Sequence, residues 1–327
     1  MGKVAKMIDL HAHILSGLDD GAKTIEESVQ MCWMSYRDGV RTIVATPHTL
    51  NGLYLNDRET ILFKVQELNE VIRKLGVWSL PACRTGREFG VDITTLRLTD
   101  AKTHRRINAS TLRPNDPMTV SSTDQIDQMN QINEIDERDQ INQIDQIDQI
   151  DLKLLPGADV HLCEKTLPHL DQGKVMTIND GKKYLFLEFP FQGIPYGAEE
   201  IIFQLMKRGI TPIITHPERN LEIGQRPRRY YEMIRVGCLG QVTAMSLTGE
   251  FGSKVRQVAE KLLTHRLIHF IASDAHSING RPPILSEAVK TAERIVGKEE
   301  AWKMVNEYPR AILKGQRPEV PEPIPLY

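Results

Sequence analysis

Two histidines one residue apart, His11 and His13, end the run Ile8-Asp9-Leu10-His11-Ala12-His13. On a β-strand, residues i and i+2 share a face, so both imidazoles can aim at one point. Neutral imidazoles converging in this way are donors for a divalent cation. Residues of the same type recur along the chain, each at or just after a strand-like apolar run. Asp20 lies in the loop after the first run, and His48 follows Arg41 to Thr46. Asp159 follows Leu152 to Gly157, and Glu188 closes Tyr184 to Phe189, where an unpaired carboxylate would be costly. His216 follows Ile210 to Thr215, and Asp274 and His276 follow Leu267 to Ala272. These nine groups exceed the coordination of one ion, so the pattern predicts two or three divalent ions. A nitrogen and oxygen donor set suits Mn, Fe, Co or Zn and is unlike a thiolate site. Clustered metals commonly serve phosphate-ester hydrolysis by acidifying a bound water and neutralising phosphoryl oxygens. Arg219 and Arg281 follow two of the histidine-bearing positions, and a guanidinium matches phosphate oxygens in pairs.

The elements that must position these groups follow from periodicity. Thr24-Ile25-Glu26-Glu27 reads as a capping box opening a helix to about Asp38, stopped by Gly39. A second helix is expected over about Asp57 to Leu75, with Leu62, Val65, Leu68 and Ile72 on its apolar face. Further helices are expected at Ala198 to Arg208, before Gly237, and from Ser253 to His265, with a short strand from Leu239 to Ala244. Alternating strands and helices predict an α/β fold with a parallel sheet. About seven such units over 327 residues favour a closed barrel, whose strand C-termini carry the chemistry. No G-x-G-x-x-G follows the first strand, which argues against dinucleotide binding.

Bulk properties exclude several classes. A formal net charge of −2 gives no general case for nucleic acid or a membrane surface. No apolar run is long enough to span a bilayer, and no apolar core of a signal peptide follows the N-terminal lysines. The four cysteines form no C-x-x-C pair, which predicts reduced thiols and a cytoplasmic location. None is followed by arginine at the sixth position, so a cysteine-based phosphatase mechanism is excluded. From about Ser79 to Ile150 no element period holds, and the end of the stretch repeats Asp-Gln-Ile. Isoleucine at every third position builds a stable face on neither a helix nor a strand. The expectation is therefore one domain from 1–78 and 151–327, interrupted by a mobile low-complexity insertion, 79–150, on the side away from the rim.

Four motifs resemble the PHP (polymerase and histidinol phosphatase) superfamily: His11-Ala12-His13, Thr46-Pro47-His48, Thr215-His216-Pro217-Glu218-Arg219 and Ser273-Asp274-Ala275-His276. Leu18-Asp19-Asp20-Gly21, Leu187-Glu188-Phe189 and Gly280-Arg281-Pro282-Pro283 look more closely like the bacterial metal-dependent protein-tyrosine phosphatases of capsule and exopolysaccharide loci. The likeness covers residues 7 to about 78 and 152 to about 316. It implies a distorted (β/α)₇ barrel and a trinuclear site usually described with manganese. The implied substrate is the phosphotyrosine-bearing tail of a tyrosine autokinase that regulates capsule synthesis. On this reading His11, His13, Asp20, His48, Asp159, Glu188, His216, Asp274 and His276 are metal ligands, and a metal-held hydroxide attacks phosphorus. Arg219 and Arg281 clamp the phosphate, and His48 or Asp274 could assist as a rim acid. A homo-oligomer is compatible with the sequence. The chain departs from the family pattern at Asp159, where glutamate is common, and in the 79–150 stretch. Two other functions share the motifs: a small-molecule phosphatase acting on a histidinol-phosphate-like ester, and an inactive metal-binding regulatory barrel.

Overall fold

The computed structural model describes residues 6–75 and 151–326, so the insertion expected at 79–150 lies outside the described residues. The chain divides into two units, Met1–Arg73 with Ile150–Tyr327 and Lys74–Gln149, and the sheets and site below belong to the first. Its strands are β1 (Met7–Ala12), β2 (Val40–Ala45), β3 (His48–Thr49), β4 (Lys153–Pro156), β5 (Asp159–His161), β6 (Tyr184–Glu188), β7 (Thr211–Thr215), β8 (Leu239–Thr243) and β9 (Phe270–Ala272). All strand pairings are parallel, as the alternation of elements predicts. The ladder is divided, however, into a sheet of order β1-β2-β4 and one of order β3-β5-β6-β7-β8-β9. Thr46-Pro47 separates β2 from β3, and Gly157-Ala158 separates β4 from β5. The end of β1 approaches the segment just after β9 through one parallel bridge, Ala12 with Ala275. The Asp274 N–H also donates to His11 O at 2.8 Å.

Every residue of β1 is buried, as are the first four of β6 and the last four of β7. Such burial along a strand is what a parallel sheet covered on both faces requires. Helices supply the cover. Thr24 caps the helix Ile25–Arg37 by accepting from the Glu27 N–H at 3.3 Å. The Glu27 carboxylate accepts from the Lys23 N–H at 2.8 Å, one residue earlier than a capping box would place it. Gly39 ends this turn at φ 99°, a conformation open to glycine without strain. The helix Arg58–Leu75 buries Ile61, Val65, Leu68 and Ile72, with Ile61 in place of the expected Leu62. That spacing of four, three and four residues keeps one face on the sheet. The last strand is shorter than expected, because Leu267 to His269 make other contacts. Leu267 O accepts from the Tyr230 hydroxyl at 2.8 Å, and His269 Nδ1 accepts from the Gly240 N–H at 3.0 Å.

Candidate metal centre

All nine ligand positions read from the sequence meet in one cluster: His48 and Asp159 open β3 and β5, Asp20 comes from the loop after β1, and the other six lie at or just after the C-terminal ends of β1, β6, β7 and β9. Three sets of ligand atoms lie within 4.8 Å of one another: His13, Asp20, His48 and His276; His11, His13 and Asp159; and His48, Asp159 and Glu188. The other two groups join these sets. Asp274 Oδ1 lies 3.6 Å from His11 Nε2 and 3.5 Å from His13 Nε2. His216 Nε2 lies 3.6 Å from Asp159 Oδ2 and 3.7 Å from Glu188 Oε1. His48 and His276 each place Nε2 3.6 Å from Asp20 Oδ1. These separations exceed a hydrogen bond. They match two ligands on one ion, because donors about 2.0–2.2 Å from a tetrahedral cation stand about 3.3–3.6 Å apart.

The donor set passes a second test of fit. Asp159 Oδ2, His48 Nδ1 and His276 Nε2 are buried with no hydrogen-bond partner. Buried polar atoms are rarely left so, since each forfeits its hydration without return. All three point into the ligand cluster, where a cation would satisfy them.

Local structure explains the convergence. His11 near the end of β1 and His13 just past it bring their Nε2 atoms within 3.1 Å, the convergence their spacing predicts. Parallel register sets His48 beside Asp159 and Glu188 beside His161. His216 and Asp274 each follow a strand and hold left-handed backbones, at φ 34° and 52°. Non-glycine residues pay about 1–3 kcal/mol for such conformations, which therefore cluster where geometry is functional. Here the turn redirects both side chains into the cluster, one residue after β7 and two after β9.

Several residues that sequence reasoning missed hold the ligands. Asp19, adjacent to the expected Asp20, is buried and accepts from His13 Nδ1 at 2.6 Å, the His48 N–H at 2.9 Å and the Gly21 N–H at 2.9 Å. Gln241 Oε1 lies 3.0 Å from His11 Nδ1. A ring that donates from Nδ1 leaves Nε2 free for a metal, the usual arrangement behind a ligating histidine. The Thr215 hydroxyl donates to the other Asp159 oxygen at 3.0 Å. Asp9 accepts from the Ser273 hydroxyl at 2.5 Å and from the His11 N–H at 3.2 Å, tying β1 to the segment after β9. His161 Nδ1 lies 3.4 Å from Glu188 Oε2. The available signals were a carboxylate inside a buried strand for Asp9 and a second aspartate in the loop for Asp19; Gln241 and His161 gave none.

The electrostatics suit a cation. Burial pushes His11 down to about 4, against the pull of Asp159 and Asp274, and pushes His276 down to about 2. Both are therefore neutral donors at pH 7. Burial also opposes ionisation of Asp159 and Asp274. Nevertheless His11, His216 and His48 hold Asp159 well below the usual carboxylate range, and Arg281 with His13 does so for Asp274. His13 differs: burial disfavours its charge, but Asp19 and Asp274 lift it to about 10. A cation binding its Nε2 must displace a proton.

Arg219 and Arg281 also reach the site, though their contact is a carboxylate. Both guanidiniums pair with Asp274 Oδ2, Arg219 at 2.8 Å, and both lie over the Phe251 ring. Each keeps part of its side chain exposed at the rim, 30% for Arg219 and 23% for Arg281. A carboxylate held ionised by two arginines is a poor proton donor near neutral pH, which weighs against Asp274 as the rim acid. Among the described residues Cys32, Cys163 and Cys238 are free thiols, and burial pushes Cys238 up to about 12. No described helix is long and apolar enough to cross a membrane.

Comparison with known proteins gives this geometry a context. The family "Capsular polysaccharide synthesis, CpsB/CapC" matches residues 7–112 and 95–314, spans that reach into the stretch the motifs left out. The tyrosine-protein phosphatase YwqE of Bacillus subtilis is 28% identical over 310 residues, covering 95% of this chain and 92% of that protein. The tyrosine-protein phosphatase CpsB of Streptococcus agalactiae is 26% identical over 314 residues, covering 94% and 99%. A solved structure matches with a TM-score of 0.71 at 28% identity, over 98% of this chain and 100% of that one. It comes from work on YwqE of Bacillus subtilis and CpsB of Streptococcus pneumoniae, described there as unique metal-dependent tyrosine phosphatases.

Proposed function

Because the chain belongs to the CpsB/CapC family of capsular polysaccharide synthesis, we propose that it is a metal-dependent protein-tyrosine phosphatase. The observation that carries this reading is the meeting of nine imidazole and carboxylate ligands, three of their buried atoms unpartnered, beside two arginines at an open rim. The substrate is phosphotyrosine on a bacterial tyrosine autokinase, and its removal regulates capsule or exopolysaccharide synthesis.

Three ligand sets support a site for up to three divalent ions, and the nitrogen and oxygen donors suit manganese. Bound there, such ions would lower the pKa of a coordinated water and neutralise charge on phosphoryl oxygens. The chain's own residues do the rest. Asp19 and Gln241 fix the ring orientations of His13 and His11. Arg219 and Arg281, steadied by Asp274, present guanidinium donors to the phosphate at the rim. The buried thiols stay protonated and take no part.

The two sheets read together as one distorted (β/α)₇ barrel. Support comes from β3 and β5 beginning three residues after β2 and β4 end, and from the Ala12–Ala275 bridge that ties the end of β1 to the segment after β9. A cytoplasmic location agrees with the free cysteines.

Metal analysis combined with turnover tests the whole reading. Chelation should abolish hydrolysis of a phosphotyrosine peptide, and re-addition of Mn, Co, Zn or Mg should restore it to different extents. Faster hydrolysis of histidinol phosphate than of the peptide would instead assign a small-molecule phosphatase. Metal loading without turnover of either would leave a regulatory protein.

A further inference from the structure

We propose that a basic groove beside the metal centre, built on Arg226 and Arg228, docks acidic residues flanking the target phosphotyrosine. The proposal rests on the phosphatase reading above and names what sets its choice of peptide. One hollow is lined by the ligands Glu188 and His216 together with Arg219, Asn220 and Phe191. A second is lined by Leu221, Gln225, Arg226, Arg228 and Arg229. The two are neighbours in the chain at Asn220–Leu221 and at Phe191–Gln192, and the Leu221 N–H donates to Phe191 O at 2.9 Å. A polypeptide whose phosphotyrosyl group reaches the metal ligands would cross this tie and enter the second hollow.

Charge in the second hollow is unbalanced. Glu222 lies within it but is committed: its carboxylate accepts from Arg229 at 2.9 Å and from the Ile194 N–H at 2.9 Å. Glu232, also on its wall, pairs with Arg235 at 2.6 Å. Arg229 is engaged by Glu199 as well as Glu222. Arg226 and Arg228 are exposed and pair with no carboxylate among the described residues. Arg228 opens the helix Arg228–Arg235, whose first turn holds no acidic residue and whose Pro227 cap gives no side-chain hydrogen bond. A cation there opposes the helix dipole, so local stability does not account for it. An anionic partner does. Between the two arginines and the metal ligands lie the exposed apolar residues Phe191 and Leu221, 58% and 48% accessible. An apolar bridge between a phosphate site and a cationic hollow fits a peptide with a phosphorylated tyrosine and carboxylates some residues away.

The test compares steady-state kinetics on three substrates. These are a phosphotyrosine peptide with glutamates on both sides, the same peptide with glutamines, and p-nitrophenyl phosphate. The parent should favour the acidic peptide through a lower KM, and salt should erode that preference. The double variant R226E/R228E should raise KM for the acidic peptide about tenfold, the scale of two exposed charge pairs, and leave p-nitrophenyl phosphate unchanged. Equal KM values for the two peptides in the parent, or a preference that survives in the variant, would overturn the proposal. Turnover of p-nitrophenyl phosphate with neither peptide hydrolysed would instead remove the phosphotyrosine reading, and this proposal with it.

Discussion

Replacing Asp19 by alanine should weaken metal binding although Asp19 belongs to none of the three ligand sets. Its carboxylate serves three donors, His13 Nδ1, the His48 N–H and the Gly21 N–H, at 2.6, 2.9 and 2.9 Å. Without it, His13 loses the acceptor that selects its tautomer and fixes its ring. Loss of such a partner typically costs 10–100-fold in metal affinity, or about 1.4–2.7 kcal/mol. Stability falls separately, because two backbone N–H groups lose their acceptor. Each unsatisfied buried donor costs about 1–3 kcal/mol, and the Asp19 side chain is itself fully buried, so solvent does not soften the loss. Asp19→Asn should fall between parent and Asp19→Ala. A single amide oxygen at the Oδ2 position still accepts from His13 and His48 but turns a donor toward Gly21. The assay is titration of each apo-protein with Mn in competition with an indicator chelator, alongside thermal melts in excess chelator. Stoichiometry should stay at the parent value in both Asp19 variants and fall in His13→Ala. An Asp19→Ala protein that is folded and binds metal within threefold of the parent would refute the positioning role.

Three other outcomes follow from the same contacts. Arg219→Ala and Arg281→Ala should keep metal content at the parent level while kcat/KM on a phosphotyrosine peptide drops at least tenfold; metal loss equal to that of His13→Ala would make them supports of Asp274 alone. Gly21→Ala should disable the site, because a Cβ there would lie 2.1 Å from His13 O and 2.7 Å from His13 Cβ; parent-like metal affinity would show that the loop yields freely. Burial pushes His269 down to about 3 from an unfolded value near 6.5, so the unfolded chain binds more protons between those values. Its contribution is complete above about pH 6.5 and is lost as pH falls toward 3, up to about 4–5 kcal/mol. Melting temperature in chelator should therefore fall less between pH 7 and 5 in His269→Gln, which can still accept from the Gly240 N–H, than in the parent; parallel curves would refute the assignment.

The sequence by itself pointed to the candidate ligands and determined the kind of fold. His11 and His13 share a face because a strand repeats every two residues, and that holds whatever surrounds it. His48, His216 and Asp274 could be picked out because each closes a β-branched or apolar run, and a parallel α/β fold gathers strand ends at one rim. Thr24, Gly39 and the spacing of Val65, Leu68 and Ile72 marked helices through chemistry confined to a turn or two. What the sequence left open depended on contacts between distant segments. Asp19 and Asp20 are adjacent in one loop, and only the meeting of that loop with the His13 ring and the His48 backbone sends Asp19 inward and leaves Asp20 at the rim. Gln241 stands 230 residues from the imidazole it orients, so no local pattern could connect them. The pairing of both arginines with Asp274 likewise needed β7 and β9 in place, and the left-handed turns after them. Local periodicity is written in each segment's own residues, whereas the choice of partner is settled only when parallel register and packing bring those segments side by side.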